Sequence, residues 1–193
     1  MYDCLTDQCM VRFHVSCILT MPRPVLNLSC WNVNGLFRRT ENFCKLDDPT
    51  FVKAVSDFDV VGLVETHAGP DDSISLAGYK SLSISRPRCN KALKFSGGIA
   101  VLIKNRILDG VDTGVQMSDH AVWIKLKRDF FHFEQDIYLG IIYLPPENSL
   151  WGRDAIGFFS HLLCQMYIEN DVDNIIVCGN TSSSLGLDLE AHV

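Results

Sequence analysis

The sequence predicts an α/β sandwich, with β-sheets covered by helices. Apolar runs of strand length, rich in Val, Ile and Leu, recur along the whole chain, whereas helix-like stretches between them are few. The chain has 193 residues and is 47% hydrophobic, enough for one domain with a sizeable core and too apolar for a disordered segment. Most of the apolar runs are cut short by Gly, Pro or a polar residue, as strand ends in such folds are.

Residues 1–24 are expected to form an extension outside the fold, leaving 25–193 as the domain. Val11 to Met21 is partly apolar, but it contains Arg12 and His14 and is too short to cross a bilayer. MYDCLTDQC carries two acids and no base, so it lacks the positive region of a signal peptide. Pro22 and Pro24 punctuate the join. Leu26, Leu28 and Cys30 then alternate with Asn27 and Ser29, which suits a strand running into a turn at Asn32, Asn34 and Gly35. Thr50 to Asp57 reads as a short amphipathic helix. Phe58 to Val64 is nearly all apolar, as befits a strand covered on both faces, and it ends in Glu65-Thr66-His67. Residues 71–95 are polar and turn-rich, and Arg86, Arg88, Lys91 and Lys94 form a basic cluster that reads as a solvated loop. Gly97-Gly98 opens the strand IAVLIK. Ala121 to Lys127 alternates as a half-buried strand, and Asp136 to Leu144 is a further strand stopped by Pro145-Pro146. Ser149 to Asn170 is the best helix, with Ala155, Phe159, Leu162, Leu163 and Met166 at helical spacing and Ser149 as a cap. Asn174 to Cys178 is a last strand, leading into Gly179-Asn180.

Charge and cysteines narrow the function classes. Seventeen Lys plus Arg stand against 23 Asp plus Glu, a net charge of -6. That gives no basic face for general nucleic-acid affinity, yet it is compatible with an acidic metal site. The eight cysteines make no CxxC pair and no zinc-spaced Cys/His set. Cys30, Cys164 and Cys178 lie in apolar runs and read as buried reduced thiols, which points to the cytosol or nucleus and not to secretion. No membrane segment and no protein partner is indicated, and a monomer is expected.

Four predicted strand ends carry polar groups: Asn32 and Asn34, then Glu65, then Tyr143, then Asn180 and Ser182. Oxygen donors of this kind suit a hard cation such as magnesium, which takes one or two carboxylates and completes its shell with water and substrate phosphate. Glu65 is the only carboxylate among them. Read alone, Glu65 equally fits a surface carboxylate at a helix start, and Asn34-Gly35 an ordinary turn.

Five motifs carry a resemblance: WNVNGL at 31–36, VVGLVETH at 60–67, GGIAVLIK at 97–104, IIYLPPENS at 141–149 and IIVCGN at 175–180. In this order they resemble the endonuclease/exonuclease/phosphatase superfamily, most of all the endonuclease domain of LINE-type retrotransposon polyproteins. The resemblance spans about residues 25–186. It implies a four-layered α/β sandwich of two packed sheets flanked by helices, and a magnesium-dependent phosphodiesterase (manganese being an alternative metal) that nicks DNA. It further implies that Glu65 and Asn34 serve the metal, that Asn32 and Tyr143 contact the scissile phosphate, and that Asn180 and Ser182 stand in the Gly-Asp-x-Asn motif of the family.

Here that motif reads Gly179-Asn180-Thr181-Ser182. The family's aspartate orients or deprotonates the attacking water, and a neutral amide cannot take a proton. The chain ends at Val193, ahead of the strands that the resemblance would place next, so the sandwich is expected to be incomplete, poorly soluble and catalytically impaired. Ser118-Asp119-His120 spells the family's terminal motif but lies before the IIYLPP strand, so His120 reads as a loop or strand-start residue. His67, His132 and His161 read as structural or exposed. The competing readings are a catalytically dead retrotransposon remnant, a phosphatase of the same superfamily, and a binding module using the basic cluster.

Overall fold

The computed structural model describes residues 11–15, 26–38, 43–86, 95–144 and 174–181, with single positions 157, 160 and 164. Two mixed sheets dominate. The first contains β1 (Val11–Val15), β2 (Leu26–Asn32), β5 (Val60–Val64), β6 (Tyr79–Ile84) and β7 (Ile99–Lys104), in the order β1-β2-β5-β7-β6. Only its β2–β5 pair is parallel. The second contains β8 (Val111–Ser118), β9 (Ala121–Leu126), β10 (Ile137–Leu144) and β11 (Ile175–Thr181), in the order β11-β10-β9-β8, with β10–β11 parallel. Between β2 and β5 lie a small hairpin, β3 (Phe37–Arg38) with β4 (Phe43–Cys44), and helix α1 (Pro49–Ser56). A single helical turn, α2 (Arg128–Phe131), joins β9 to β10.

The period-two alternation of the strands sorts their side chains into layers. Leu28 and Cys30 of β2, Val60 and Val64 of β5, and Val101 of β7 face Ile124 of β9, Ile141 of β10 and Cys178 of β11 in one core between the sheets. The alternate residues, Trp31, Val61, Leu63, Ala100 and Leu102, form a second core with Val55 and Phe58 beneath α1. Ala121, Trp123 and Ile142 cluster on the far face of the second sheet. The sequence expects a helix over Ser149–Asn170. It lies outside the described residues apart from Gly157, Ser160 and Cys164, which are helical. The sheets meet closely at Gly62, where an added Cβ would stand 2.8 Å from Ile141 and 3.2 Å from the Cys30 sulfur.

The structure revises several expectations. Val11–Val15, placed outside the fold by the sequence, pairs antiparallel with β2 from Val11 opposite Cys30 to Val15 opposite Leu26. The alternation Val11, Phe13, Val15 against Arg12, His14 is the signal for it. The strand at Ala121–Leu126 is not half-buried: only Lys125 is partly exposed, because both faces of β9 are covered. Two strands were hidden in polar sequence, β6 as YKSLSI and β8 as VDTGVQMS. Of the three thiols expected to be buried, Cys30 and Cys178 are, but Cys164 is exposed. No described helix is long and apolar enough to cross a membrane.

Candidate active site

β2 runs into a turn that is stitched to the end of β5 by the backbone. Val33 N–H donates to Val64 O at 2.9 Å, Gly35 N–H to Glu65 O at 2.7 Å and Leu36 N–H to Thr66 O at 2.9 Å. The chain after β5 is tied in turn to the start of β7, with Thr66 N–H on Gly98 O at 3.3 Å and His67 N–H on Gly97 O at 2.8 Å. The Lys45 ammonium caps the Val33 carbonyl. These neighbouring strand ends carry a concentration of left-handed backbone: Asn34, Gly35, Glu65, His67, Gly97 and Gly98 all have positive φ. For Glu65 and His67 that conformation costs about 1 kcal/mol or more each, and such strain gathers at functional sites.

Glu65 is half-buried and Asn34 exposed. The Asn32 side-chain oxygen accepts from Asn34 N–H at 3.0 Å, which closes the turn and keeps the amide at the rim of the strand end. The second sheet supplies Tyr143, buried near the end of β10. Burial first, and then the Glu65 carboxylate beside it, push the phenol up to about 12. Tyr143 is therefore a neutral donor at any physiological pH. Asn180 lies directly opposite Tyr143 in the parallel β10–β11 register, and Ser182 lies outside the described residues.

The structure thus draws together Asn32, Asn34, Glu65 and Tyr143, with Asn180 one strand over. It also adds groups that the sequence hid. Arg86, read as part of a solvated cluster, is only 1% exposed. Its guanidinium lies over the Tyr143 ring, 4.8 Å from the centroid. Nε donates to Asp119 O at 2.9 Å, and Nη2 reaches Tyr143 O at 3.2 Å and His120 Nδ1 at 2.5 Å. Burial lowers the Arg86 pKa, opposed by Tyr143, Asp119 and Glu65. His120 sits in the β8–β9 turn, as expected of a strand-start residue, yet its ring belongs to this cluster. Burial and the Arg86 charge lower its pKa. Arg88, Lys91 and Lys94 lie outside the described residues, as does His161. His132 is exposed in the left-handed cap of α2.

Among the described residues no set of three or more His, Cys, Asp or Glu could hold a metal. One carboxylate with flanking amide oxygens does fit magnesium, a hard cation that keeps several waters and shares substrate phosphate, and does not fit zinc.

No family model matches the chain. In sequence it is 27% identical over 143 residues to the RNA-directed DNA polymerase from mobile element jockey of Drosophila melanogaster, covering 74% of this chain and 14% of that protein. The counterpart from Drosophila funebris is 25% identical over 134 residues, covering 69% and 13%. The chain therefore spans about a seventh of the length of these relatives. In structure it is similar to the human Nocturnin catalytic domain, with a TM-score of 0.55 at 14% identity over 92% of this chain and 68% of that one. The Xenopus laevis APE2 catalytic domain gives 0.53 at 17% identity over 81% and 58%. The Neisseria 3′ phosphatase NExo, solved with a product DNA hairpin, gives 0.50 at 16% identity over 79% and 56%. The chain has the endonuclease/exonuclease/phosphatase fold, joined to a sequence likeness to the jockey mobile-element proteins.

Proposed function

We propose that this chain is a retrotransposon endonuclease-like domain that binds DNA and hydrolyses a phosphodiester bond with the help of magnesium or manganese. The observation that carries the reading is the convergence of the Asn32–Gly35 turn, stitched by its backbone to Glu65 at the end of β5, with the Tyr143 phenol of the second sheet beside the Glu65 carboxylate. Glu65 and the Asn34 amide would hold the cation. When bound, such an ion supplies charge stabilisation at the phosphoryl group and the leaving oxygen. The other roles fall to the chain's own atoms. Tyr143, neutral and buried, has one hydroxyl proton, and on substrate binding that proton turns from the Glu65 carboxylate to a phosphate oxygen. The Asn32 amide orients the same group from the neighbouring strand end. Asn180 can hold the attacking water by a hydrogen bond but cannot accept its proton, which makes catalysis slow.

A second reading, a catalytically silent remnant, is favoured by Asn180 itself. The two separate in a supercoiled-plasmid assay with magnesium or manganese, beside EDTA and Glu65→Ala controls. The enzymatic reading expects weak nicking that needs the metal and falls about a hundredfold or more in Glu65→Ala. A folded wild-type sample that never nicks, with either metal, supports the remnant. A 3′-phosphorylated oligonucleotide run alongside tests for a phosphatase: release of phosphate without nicking would replace the endonuclease assignment.

A further inference from the structure

Among the described residues Arg86 is the buried arginine, and carbonyls and a histidine ring hold it. It leaves β6, the edge strand of the first sheet, and reaches the second sheet at two places. Its fork is fixed by the Asp119 carbonyl, the Tyr143 carbonyl and the His120 ring, so the guanidinium plane has little freedom. The guanidinium carbon lies over the Tyr143 ring, 4.8 Å from its centroid and inside the range of a cation–π contact. Gly97 completes the enclosure. An added Cβ there would stand 2.9 Å from Arg86 Nη1 and 3.0 Å from Tyr143 Cε1, at a φ of +70° that disfavours side chains. Tyr143 is therefore held on one face by a locked cation, with the Glu65 carboxylate beside its hydroxyl.

We propose that Arg86, braced by the Asp119 carbonyl and His120, is a positioning residue that orients the Tyr143 ring so that its hydroxyl meets Glu65 and the substrate phosphate. The proposal rests on the nuclease reading for the phosphate, but its first test does not. Arg86 touches neither substrate nor metal in this scheme; it acts through Tyr143. Lysine in its place keeps a charge but loses the fork, and methionine loses both the charge and the fork.

The test is nuclear magnetic resonance of the chain labelled with ring-13C tyrosine, in wild type, Arg86→Lys and Arg86→Met. Tyr143→Phe identifies the Tyr143 signal among five tyrosines. Tyr79 is the internal control: it lies at the other end of β6, where its hydroxyl donates to Val55 O at 3.1 Å and Phe58 O at 2.8 Å. Both Arg86 variants are expected to shift the Tyr143 ring signals and leave those of Tyr79 in place, with lysine giving the smaller shift. A Tyr143 signal unmoved in either folded variant overturns the proposal. So does a joint shift of Tyr143 and Tyr79, which marks general loosening.

A second measurement follows a fluorescent duplex oligonucleotide by anisotropy in EDTA. Arg86→Met and Tyr143→Phe are each expected to weaken binding about tenfold, and the double variant no further than Tyr143→Phe. Effects that multiply would show Arg86 acting independently of Tyr143 and overturn the proposal. If wild type binds no DNA while the Tyr143 signal still shifts in the Arg86 variants, the nuclease reading falls and the positioning role stands.

Discussion

The chemistry at the strand ends depends on a few atoms in unusual settings. His120 Nδ1 faces the Arg86 guanidinium at 2.5 Å; because an arginine there can only donate, the imidazole must be neutral and accept. Its folded pKa is accordingly depressed, by burial first and by the Arg86 charge second. The sign follows from linkage. Above about pH 6.5 the ring is neutral in both folded and unfolded chains, and the contact contributes in full. As pH falls below that value the unfolded chain takes up its proton first, and the stability is lost towards the lower folded pKa. Thermal melts of wild type and His120→Gln between about pH 7.5 and 5.5 should therefore converge as the pH is lowered. A gap independent of pH would contradict it. Gly97 offers a second check. Alanine there must adopt a φ of +70° and crowd the Arg86 and Tyr143 side chains at once. Gly97→Ala should cost roughly 2 kcal/mol in chemical denaturation, the sum of a backbone penalty near 1 kcal/mol and a similar packing term.

At the scale of elements, legibility tracked how completely a segment's own residues decide its environment. VVGLV announces a strand because β5 is apolar and buried at every position, and no polar partner is needed to explain it. α1 was equally plain: Pro49 begins it, and the Asp48 carboxylate accepts from Thr50 N–H at 2.8 Å. β6 was not legible. Lys80, Ser81 and Ser83 lower its strand character, and its place comes from pairing along β7, from Tyr79 opposite Lys104 to Ile84 opposite Ile99. Arg86 was hidden for the same reason, since burial of a guanidinium is decided by carbonyls contributed from another sheet. Asp59, just ahead of β5, is likewise 1% exposed. It accepts from Asn27 N–H at 3.1 Å and from Arg106, whose Nη2 lies at 2.5 Å, so it ties β2 and the β7 end to β5. Asp59→Ala strands the Asn27 amide, while Arg106, whose side chain is 60% exposed, can turn to water. The expected loss is therefore about 1–2 kcal/mol in urea denaturation, below the 3–5 kcal/mol typical of a fully buried pair that loses one member.

Across the whole molecule, each sheet contributes half of the candidate site. The first gives the Asn32–Gly35 turn and Glu65, the second gives Tyr143, with Asn180 opposite it, and the packing that unites them is the core around Gly62, Ile141 and Cys30. The sequence could mark the strand ends as polar, yet only the packing of the two sheets brings Tyr143 beside Glu65. This arrangement makes Asn180 the most informative single position. It sits on β11, paired in parallel with the strand that carries Tyr143, at the edge of the second sheet. If the two strand-end sets form one catalytic centre, a proton acceptor at position 180 should act on the same phosphate that Tyr143 and Glu65 hold. Asn180→Asp should then raise metal-dependent plasmid nicking by about 10²–10⁴-fold, the usual range for general-base assistance. The gain should vanish in Asn180→Asp combined with Glu65→Ala, because a base without the charged centre has no activated phosphate to serve. A gain that survives the loss of Glu65 would place the chemistry elsewhere. No gain in a folded Asn180→Asp protein would mean that the missing proton acceptor is not what limits the site.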